Sequence, residues 1–325
     1  MRRRTFIGTG AALAVAGSSV AQPADAYPQQ PMKIVVAASP GGPADAAVRI
    51  LTSRLQPRLG SQTPLVIDHR PGANSRVAGE FVAKATPNGT TLLVAAAGHA
   101  VNPALVANMS FDPLNDLVPV AMVSRVCNAF VSSAQVPAKT LKELMDWGRS
   151  NPALASYASG GKGAFSHLLA EALVRSAGVN FLHVPYKSGT AAVSDLVSGR
   201  VAFQLDTVQQ MMPLVRDGKL NFLAVTSDRR WPALPDVPTV REAGYPEAAG
   251  SSWVMVFAPA KTPTALIERL SRDINTVMET PDAVAALQAI GMEQTSMTPG
   301  EADRFVRAEA HRWAKLIREI GIKPE

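Results

Sequence analysis

The chain alternates short apolar runs with longer segments in which apolar residues recur every three or four positions. Residues 33–37 are rich in β-branched side chains, which is typical of a buried strand. The segment that follows predicts a helix with one apolar face, formed by Ala47, Ile50, Leu51, Leu55 and Leu59. Similar pairs recur as far as a strand expected at residues 252–257. This alternation predicts an α/β fold with largely parallel sheets.

The first strand ends in a glycine turn that opens a helix. The turn reads Ser39-Pro40-Gly41-Gly42, and glycine permits backbone angles that other residues avoid. Pro43 suits the first helical position, and Asp45 suits the first turn, where the helix dipole favours negative charge. Such a helix start aims backbone N–H groups at one point, where a carboxylate or phosphate can bind. An ordinary strand-to-helix turn is an equally good interpretation.

The same arrangement recurs near the middle of the chain. A strand is predicted at residues 154–158, followed by the turn Ser159-Gly160-Gly161-Lys162-Gly163 and a helix that begins near Phe165. A second helix start is therefore available to a ligand. Lys162 is either a solvated loop residue or a point charge that adds to the backbone donors.

Two further polar residues follow predicted strands. His99 comes after the strand at residues 91–95, and Asp206 comes directly after the strand at residues 201–205. Ligands collect at the carboxyl ends of strands in open α/β sheets, so both residues are candidates for ligand contact. His99 is equally well interpreted as a structural histidine, and Asp206 as the cap of the next helix.

The chain length predicts two lobes, because 325 residues exceed what one hydrophobic core usually supports. An extended apolar run at residues 118–131 predicts a strand that crosses between the lobes. The first lobe is expected to contain residues 27–123 and 254–325, and the second residues 124–253. We expect the ligand cleft between them.

Residues 1–26 have the pattern of an export signal. Arginines at positions 2–4 precede a weakly apolar stretch at residues 8–20, which is too short and too interrupted for a membrane span. Paired arginines before Thr5 resemble a twin-arginine signal. Cleavage after Ala21 or Ala26 would leave a mature periplasmic protein.

Composition and motifs argue against several other classes of function. The net charge is +6, but the few aromatic residues are not interleaved with basic ones, so we expect no nucleic-acid partner. The five histidines have no metal-ligand spacing, and no catalytic or nucleotide-binding motif occurs. We therefore expect neither a cofactor nor an enzyme. Cys127, the one cysteine, is expected to be a small core residue.

Segments spread along the chain follow one known pattern. They are the loop Pro40-Gly41-Gly42-Pro43-Ala44-Asp45 and residues 27–36, 68–73, 102–103, 157–160, 166–168, 183–187, 223–227 and 234–240. In order and spacing they resemble the Bug family, the TctC-type periplasmic solute-binding proteins of tripartite tricarboxylate transporters. The resemblance covers essentially all of residues 27–320.

The resemblance implies a type II periplasmic-binding-protein fold, a Venus flytrap that closes on a small organic carboxylate. It also implies membrane subunits of a transporter as partners, and we expect a monomer. The resemblance implies that backbone donors and ordered waters at the first glycine turn hold the carboxylate, and that the second-lobe glycine turn and helix start bind the other side of the ligand. Carried over to this chain, the ligand-binding residues are Ser39, Pro40, Gly41, Gly42, Ala44, Asp45, His99, Ser159, Gly160, Gly161, Lys162, Gly163, Ala164, Phe165 and Asp206.

Departures from the family pattern bear on the ligand. Where the family usually has small, hydroxyl-rich residues, this chain has Lys162 and Phe165, which add a cation and a ring. We therefore expect a ligand with a second negative group or an aromatic body. Arg76 also stands in a loop that the family usually fills with glycines. Two other functions remain as alternatives: a ligand-binding accessory of a membrane sensor kinase, and a periplasmic hydrolase, for which the sequence offers no nucleophile–base pair.

Overall fold

A computed structural model describes residues 27–28, 30–59 and 64–323, so the predicted export signal lies outside the described residues. The strands are β1 (Met32–Val36), β2 (Leu65–His69), β3 (Thr91–Ala96), β4 (Leu117–Val126), β5 (Asn128–Ser133), β6 (Ser156–Ser159), β7 (Leu182–Pro185), β8 (Phe203–Thr207), β9 (Leu220–Val225), β10 (Ser252–Pro259) and β11 (Met292–Glu293). The helices are α1 (Pro43–Leu59), α2 (Arg76–Ala83), α3 (Gly98–Leu105), α4 (Leu141–Ser150), α5 (Phe165–Ser176), α6 (Gly189–Val197), α7 (Val208–Arg216), α8 (Thr264–Met278), α9 (Pro281–Ala289) and α10 (Pro299–Glu319). Within these ranges, no helix is both long enough and apolar enough to cross a bilayer.

The first sheet has the strand order β11-β4-β10-β3-β1-β2 within the described chain. β1 pairs in parallel with β2 and β3, because α1 and α2 return the chain to the same end of the sheet. β10 pairs antiparallel with β3 and β4, and β11 pairs antiparallel with β4. The strands and the helices packed on them form an apolar core that includes Ile34, Leu51, Leu92 and Ile274.

The second sheet has the order β7-β6-β8-β5-β9, again within the described residues. β6 pairs in parallel with β7 and β8, with α5 and α6 as crossovers, whereas β5 pairs antiparallel with β8 and β9. Tyr157, Phe130 and Phe203 are fully buried in this lobe. Both sheets are thus mixed: they contain the parallel pairs predicted from the sequence and also antiparallel pairs. Each antiparallel pair of the described strands includes a strand that adjoins a crossing between the sheets, namely β4, β5 or β10.

The crossing segment differs from the single strand predicted at residues 118–131. Val126 pairs with Ser252 in the first sheet, whereas Asn128 pairs with Thr207 in the second. Cys127 is therefore the one residue between two strands that belong to different sheets. The second crossing connects β9 to β10. In the first sheet β4 continues to Val126 and β10 begins at Ser252, two or three residues from the predicted lobe boundaries, which we retain as a proposal.

Helix α10 packs along α3 and β4 and also reaches the second lobe. The Trp313 ring of α10 meets the edge of the Phe165 ring of α5 at a centroid distance of 5.6 Å. The helix begins with a capping box: Thr298 Oγ1 accepts the Glu301 N–H, and the Glu301 carboxylate accepts the Thr298 N–H. This local feature fixes where the helix that touches both lobes begins.

Replacing Thr298 by Ala should lower the free energy of unfolding by about 1 kcal/mol, because the Glu301 amide in the first turn of α10 loses its acceptor. Denaturant titration of the full chain measures this change. Thr264→Ala is the control, since Thr264 is an exposed residue at the start of α8, and we expect it to change stability by less than about 0.5 kcal/mol. Equal losses in the two variants would contradict the role given to the capping box.

Candidate functional site

A cavity of about 320 Å³ lies between the two sheets. Its wall takes residues from both lobes and from the crossing strands: Ala38, Pro43, Ala44, Ala96, Val126, Asn128, Ala164, Phe165, Ser166, Gly189, Leu205, Asp206, Thr207, Ser252, Trp253 and Val254. Both glycine turns therefore lead to one cavity. The residues that reach it are those just after the glycines, at the starts of α1 and α5, rather than the glycines themselves.

Several helices begin at this wall. Pro43, Phe165 and Gly189 are the first residues of α1, α5 and α6, and Thr207 directly precedes α7. First-turn N–H groups have no acceptor inside their own helix, and the helix dipole adds partial positive charge there. Of the described residues that form the wall, none is a lysine or an arginine. Among the described wall residues, the groups that can attract an anion are therefore the first-turn backbone amides.

Asp45 holds the first turn from behind rather than lining the cavity. Asp45 is 3% exposed, and its carboxylate accepts the Gly41 N–H at 2.9 Å and the Arg49 Nε–H at 3.0 Å. Nε2 of His69 lies 2.7 Å from its other oxygen. Burial acts to raise the pKa of Asp45, but these hydrogen bonds outweigh burial and lower the pKa to about 2. An ionised Asp45 therefore fixes Gly41, whose φ of 81° favours glycine.

The second turn is held by hydroxyl groups of its own strand and helix. Ser166 Oγ accepts the Gly160 N–H at 3.1 Å, and Ser159 Oγ accepts the Gly161 N–H at 3.2 Å. Ser166 also lies in the cavity wall. Its hydroxyl therefore connects the turn to the first residues of α5.

Gly163 ends this turn where the two lobes touch. Its φ is 75°, and a Cβ at this position would lie 2.6 Å from Cδ1 of Leu105 in α3. Glycine is thus required for the backbone angle and for the close approach of the lobes. The Gly163 N–H donates to Nδ1 of His167, in the first turn of α5, at 2.9 Å.

Asp206 carries the single carboxylate among the described wall residues. It accepts the Thr207 N–H at 2.7 Å and a hydrogen bond from Nε2 of Gln204 at 3.0 Å. Its Oδ2 lies directly against Gly189 at the start of α6, and the N-cap of the following α7 is Thr207 rather than Asp206. Burial raises the pKa of Asp206 to about 6, although the Thr207 N–H opposes this. The group can thus accept a hydrogen bond, or donate one once protonated.

His99 lies inside helix α3, not in a loop, and its side chain is fully buried. Its Nε2 lies 3.0 Å from the Pro113 carbonyl oxygen, and its ring packs on Phe257 at a centroid distance of 4.5 Å. Burial lowers the pKa of His99 to about 4, against the effect of the Pro113 hydrogen bond. His99 is absent from the described cavity wall. This position fits a structural histidine, and the geometry does not support contact between His99 and a ligand.

Other predicted site residues lie on the turns but outside the described wall. Ser39, Pro40 and Lys162 are exposed. Lys162 sits two residues before the wall residue Ala164, so contact with a distal group of a ligand stays a prediction. Buried Cys127 has its pKa raised to about 12 by burial, which keeps it a thiol in the hinge.

A serine–histidine contact in the second lobe does not form a hydrolase site. Ser159 Oγ lies 2.6 Å from Nε2 of His183, a distance found in nucleophile–base pairs. Ser159, however, is only 2% exposed and is not among the described wall residues. Its hydroxyl is engaged with the Gly161 amide, so the contact positions the turn.

Residues of the crossing strands also line the cavity, and they were not predicted from the sequence as site residues. Asn128, Ser252 and Trp253 all line the cavity. The sequence of β10 lacks the alternation of apolar and polar residues that distinguishes the two faces of a strand. β10 is buried along almost its whole length, because both of its faces are covered. A continuous apolar run does not indicate which side chains face a ligand.

Asn in place of Asp45 should remove an acid-sensitive part of the stability. The folded-state pKa of about 2 lies below the ordinary 3.8, so ionised Asp45 stabilises the fold above this interval and the effect is lost as the pH falls through it. Urea titrations from about pH 6 to about pH 2.5 should give a shallower decline for Asp45→Asn than for the wild type. At neutral pH the variant should be less stable by about 2 kcal/mol.

Asp68→Asn is the control for this measurement. Asp68 pairs with Arg70 at 3.1 Å on the partly exposed edge strand β2, where an ion pair contributes less than about 1 kcal/mol. Equal pH slopes for wild type and Asp45→Asn would contradict the role given to the buried carboxylate.

Comparisons with known proteins agree with this architecture. The model of a family described as tripartite tricarboxylate transporter family receptor matches residues 47–322. Protein BugT of Bordetella pertussis is 34% identical over 316 residues, which are 97% of this chain and 96% of BugT.

Solved structures give the same result. An R. palustris protein solved with adipate is 32% identical with a TM-score of 0.81, over 92% of this chain and 100% of that one. MatC from Rhodopseudomonas palustris, solved with bound malate, is 28% identical with a TM-score of 0.76, over 90% of this chain and 100% of MatC. The periplasmic binding protein BugD is 30% identical with a TM-score of 0.78, over 92% of this chain and 100% of BugD, in agreement with a role in binding rather than catalysis. The chain therefore belongs to the tripartite tricarboxylate transporter receptor family, the Bug or TctC type of periplasmic solute-binding protein.

Proposed function

We propose that this protein captures a small organic carboxylate in the cavity between its lobes and delivers it to the membrane subunits of a tripartite tricarboxylate-type transporter. The observation that carries the proposal is the set of helix starts at a wall whose described residues include no lysine or arginine. Backbone amides of α1 on one side and α5 on the other would share the ligand's carboxylate. The relatives solved with adipate and malate support this chemistry.

The size and lining of the cavity favour a small ligand. Its volume of about 320 Å³ is at the lower end of the range for ligand sites. Phe165 and Trp253 provide aromatic surface, while Asp206 offers a polar group to a ligand hydroxyl or to a second, protonated group. We therefore favour a dicarboxylate or an aromatic carboxylate as the ligand.

Replacing Ala164 by Asp tests the backbone site most sharply. Ala164 is the N-cap of α5 and its side chain makes no capping hydrogen bond, so Asp there should stabilise the helix by up to about 1 kcal/mol. The same carboxylate would occupy the first-turn amides and repel an anion. Calorimetric titration with adipate, malate, benzoate and aspartate should give binding of at least one compound to the wild type. Affinity should fall more than about tenfold in Ala164→Asp.

Ala164→Asn is the matched control, because it caps the helix without charge and should weaken binding less than Ala164→Asp does. Thermal unfolding of all three proteins separates lost binding from lost folding. Unchanged affinity in a folded Ala164→Asp variant would contradict the backbone site. Failure of the wild type to bind any of the four compounds would remove the support for carboxylate capture.

Lys162 is proposed to attract the second negative group of a dicarboxylate. Lys162→Ala should then weaken adipate binding about threefold to tenfold and leave benzoate binding nearly unchanged, because a partly exposed charge pair contributes about 1 kcal/mol. Calorimetry with both compounds at low ionic strength measures the difference. Equal adipate affinity before and after the substitution would exclude this role.

A further inference from the structure

Two histidines stack behind the second glycine turn, outside the cavity wall described above. The rings of His167 in α5 and His183 in β7 lie 3.9 Å apart and are inclined by 16°. Tyr157 of β6 stacks on His183 at a centroid distance of 5.0 Å. His167 is 5% exposed. Strands β6 and β7 and helix α5 thus meet at one aromatic stack behind the second turn.

Each imidazole contacts a group that shapes the turn. Nδ1 of His167 accepts the Gly163 N–H at 2.9 Å, so this nitrogen must keep its lone pair. Nε2 of His183 lies 2.6 Å from Ser159 Oγ, and the same hydroxyl accepts the Gly161 N–H. The backbone on both sides of Lys162 is therefore held by the stacked pair.

The surrounding charges oppose protonation of His167. Burial, the adjacent His183 and the Lys162 ammonium together lower the pKa of His167 to about 4. Burial also lowers the pKa of His183, while Glu171 of α5 acts in the opposite direction. The Tyr157 hydroxyl donates to Glu171 and engages that carboxylate. If both imidazoles were protonated, two positive charges would lie on rings only 3.9 Å apart, which would be strongly unfavourable.

We propose that His167, stacked on His183, is a positioning residue that holds the start of α5 in its ligand-binding shape only while its imidazole is neutral. This inference rests on the proposed function, because the ligand is taken to bind the first turn of α5. Protonation at Nδ1 removes the acceptor of the Gly163 amide and places a charge in a buried stack. Gly163, Ala164 and Phe165 then lose their fixed geometry, and carboxylate affinity falls as the pH falls below the ordinary histidine range.

The first test needs no carboxylate. In a nitrogen–proton correlation spectrum of the full mature chain, the Gly163 amide resonance should move with the titration of His167, and the apparent midpoint should lie well below the ordinary 6.5. In His167→Asn, the side-chain oxygen replaces Nδ1 as acceptor and cannot be protonated, so the Gly163 resonance should not show this titration. A Gly163 resonance that ignores the His167 titration, or a His167 midpoint near 6.5, would overturn the proposal.

The second test measures adipate affinity from about pH 7 to about pH 3, one unit below the lowered pKa of His167, for the wild type and for His167→Asn. Adipate and Asp206 also titrate in this range, but their effects are common to both proteins and cancel in the ratio of dissociation constants. We expect the wild type to lose about tenfold more affinity than His167→Asn over this range. His311→Asn, which changes an exposed histidine of α10, should follow the wild type. Parallel loss in wild type and His167→Asn would refute the proposal.

The two tests also separate this proposal from the proposed function. If adipate fails to bind at about pH 7, carboxylate capture loses support, while the Gly163 titration still decides the role of His167. If adipate binds and the Gly163 resonance does not follow His167, only the positioning role fails.

Discussion

The direction of backbone amides at two helix starts is the constraint on which the rest of the structure depends. Amides cannot turn independently of the main chain, so the turns before α1 and α5 decide whether they reach one anion. Buried side chains hold both turns from behind: Asp45 in the first lobe, and Ser159 with His167 in the second. These polar groups act on a ligand through the backbone that they position.

Closure of the lobes is the second part of the same constraint, because each lobe supplies only half of the amides. Gly163 packs directly against Leu105 across the gap, and Phe165 meets Trp313. An ion pair between Arg229 of the second lobe and Glu293 of β11, in the first sheet, also joins the two lobes. Phe165 belongs both to the cavity wall and to the contact between lobes, so occupancy of the cavity and closure share one side chain.

The sequence was sufficient for features that are local in the chain. The glycine turns, the strand before each and the helix after each follow from residues within one short segment, and Pro43 and Phe165 lie where expected. Of the predicted site residues, Ala44, Ala164, Phe165 and Asp206 line the cavity, whereas the glycines of the two turns do not. Their part in ligand binding stays a prediction. Burial of His99, the break at Cys127 and the stacking of His167 on His183 depend on which strands pair, and the parallel register of β6 with β7 joins residues distant in sequence.

A crystal structure of the full mature chain grown with adipate tests the central claim most directly. We expect a ligand carboxylate whose oxygens lie about 3 Å from first-turn amide nitrogens of α1 and of α5, with both lobes in contact around it. A carboxylate held by lysine or arginine side chains on one lobe, with those amides turned toward water, would contradict it.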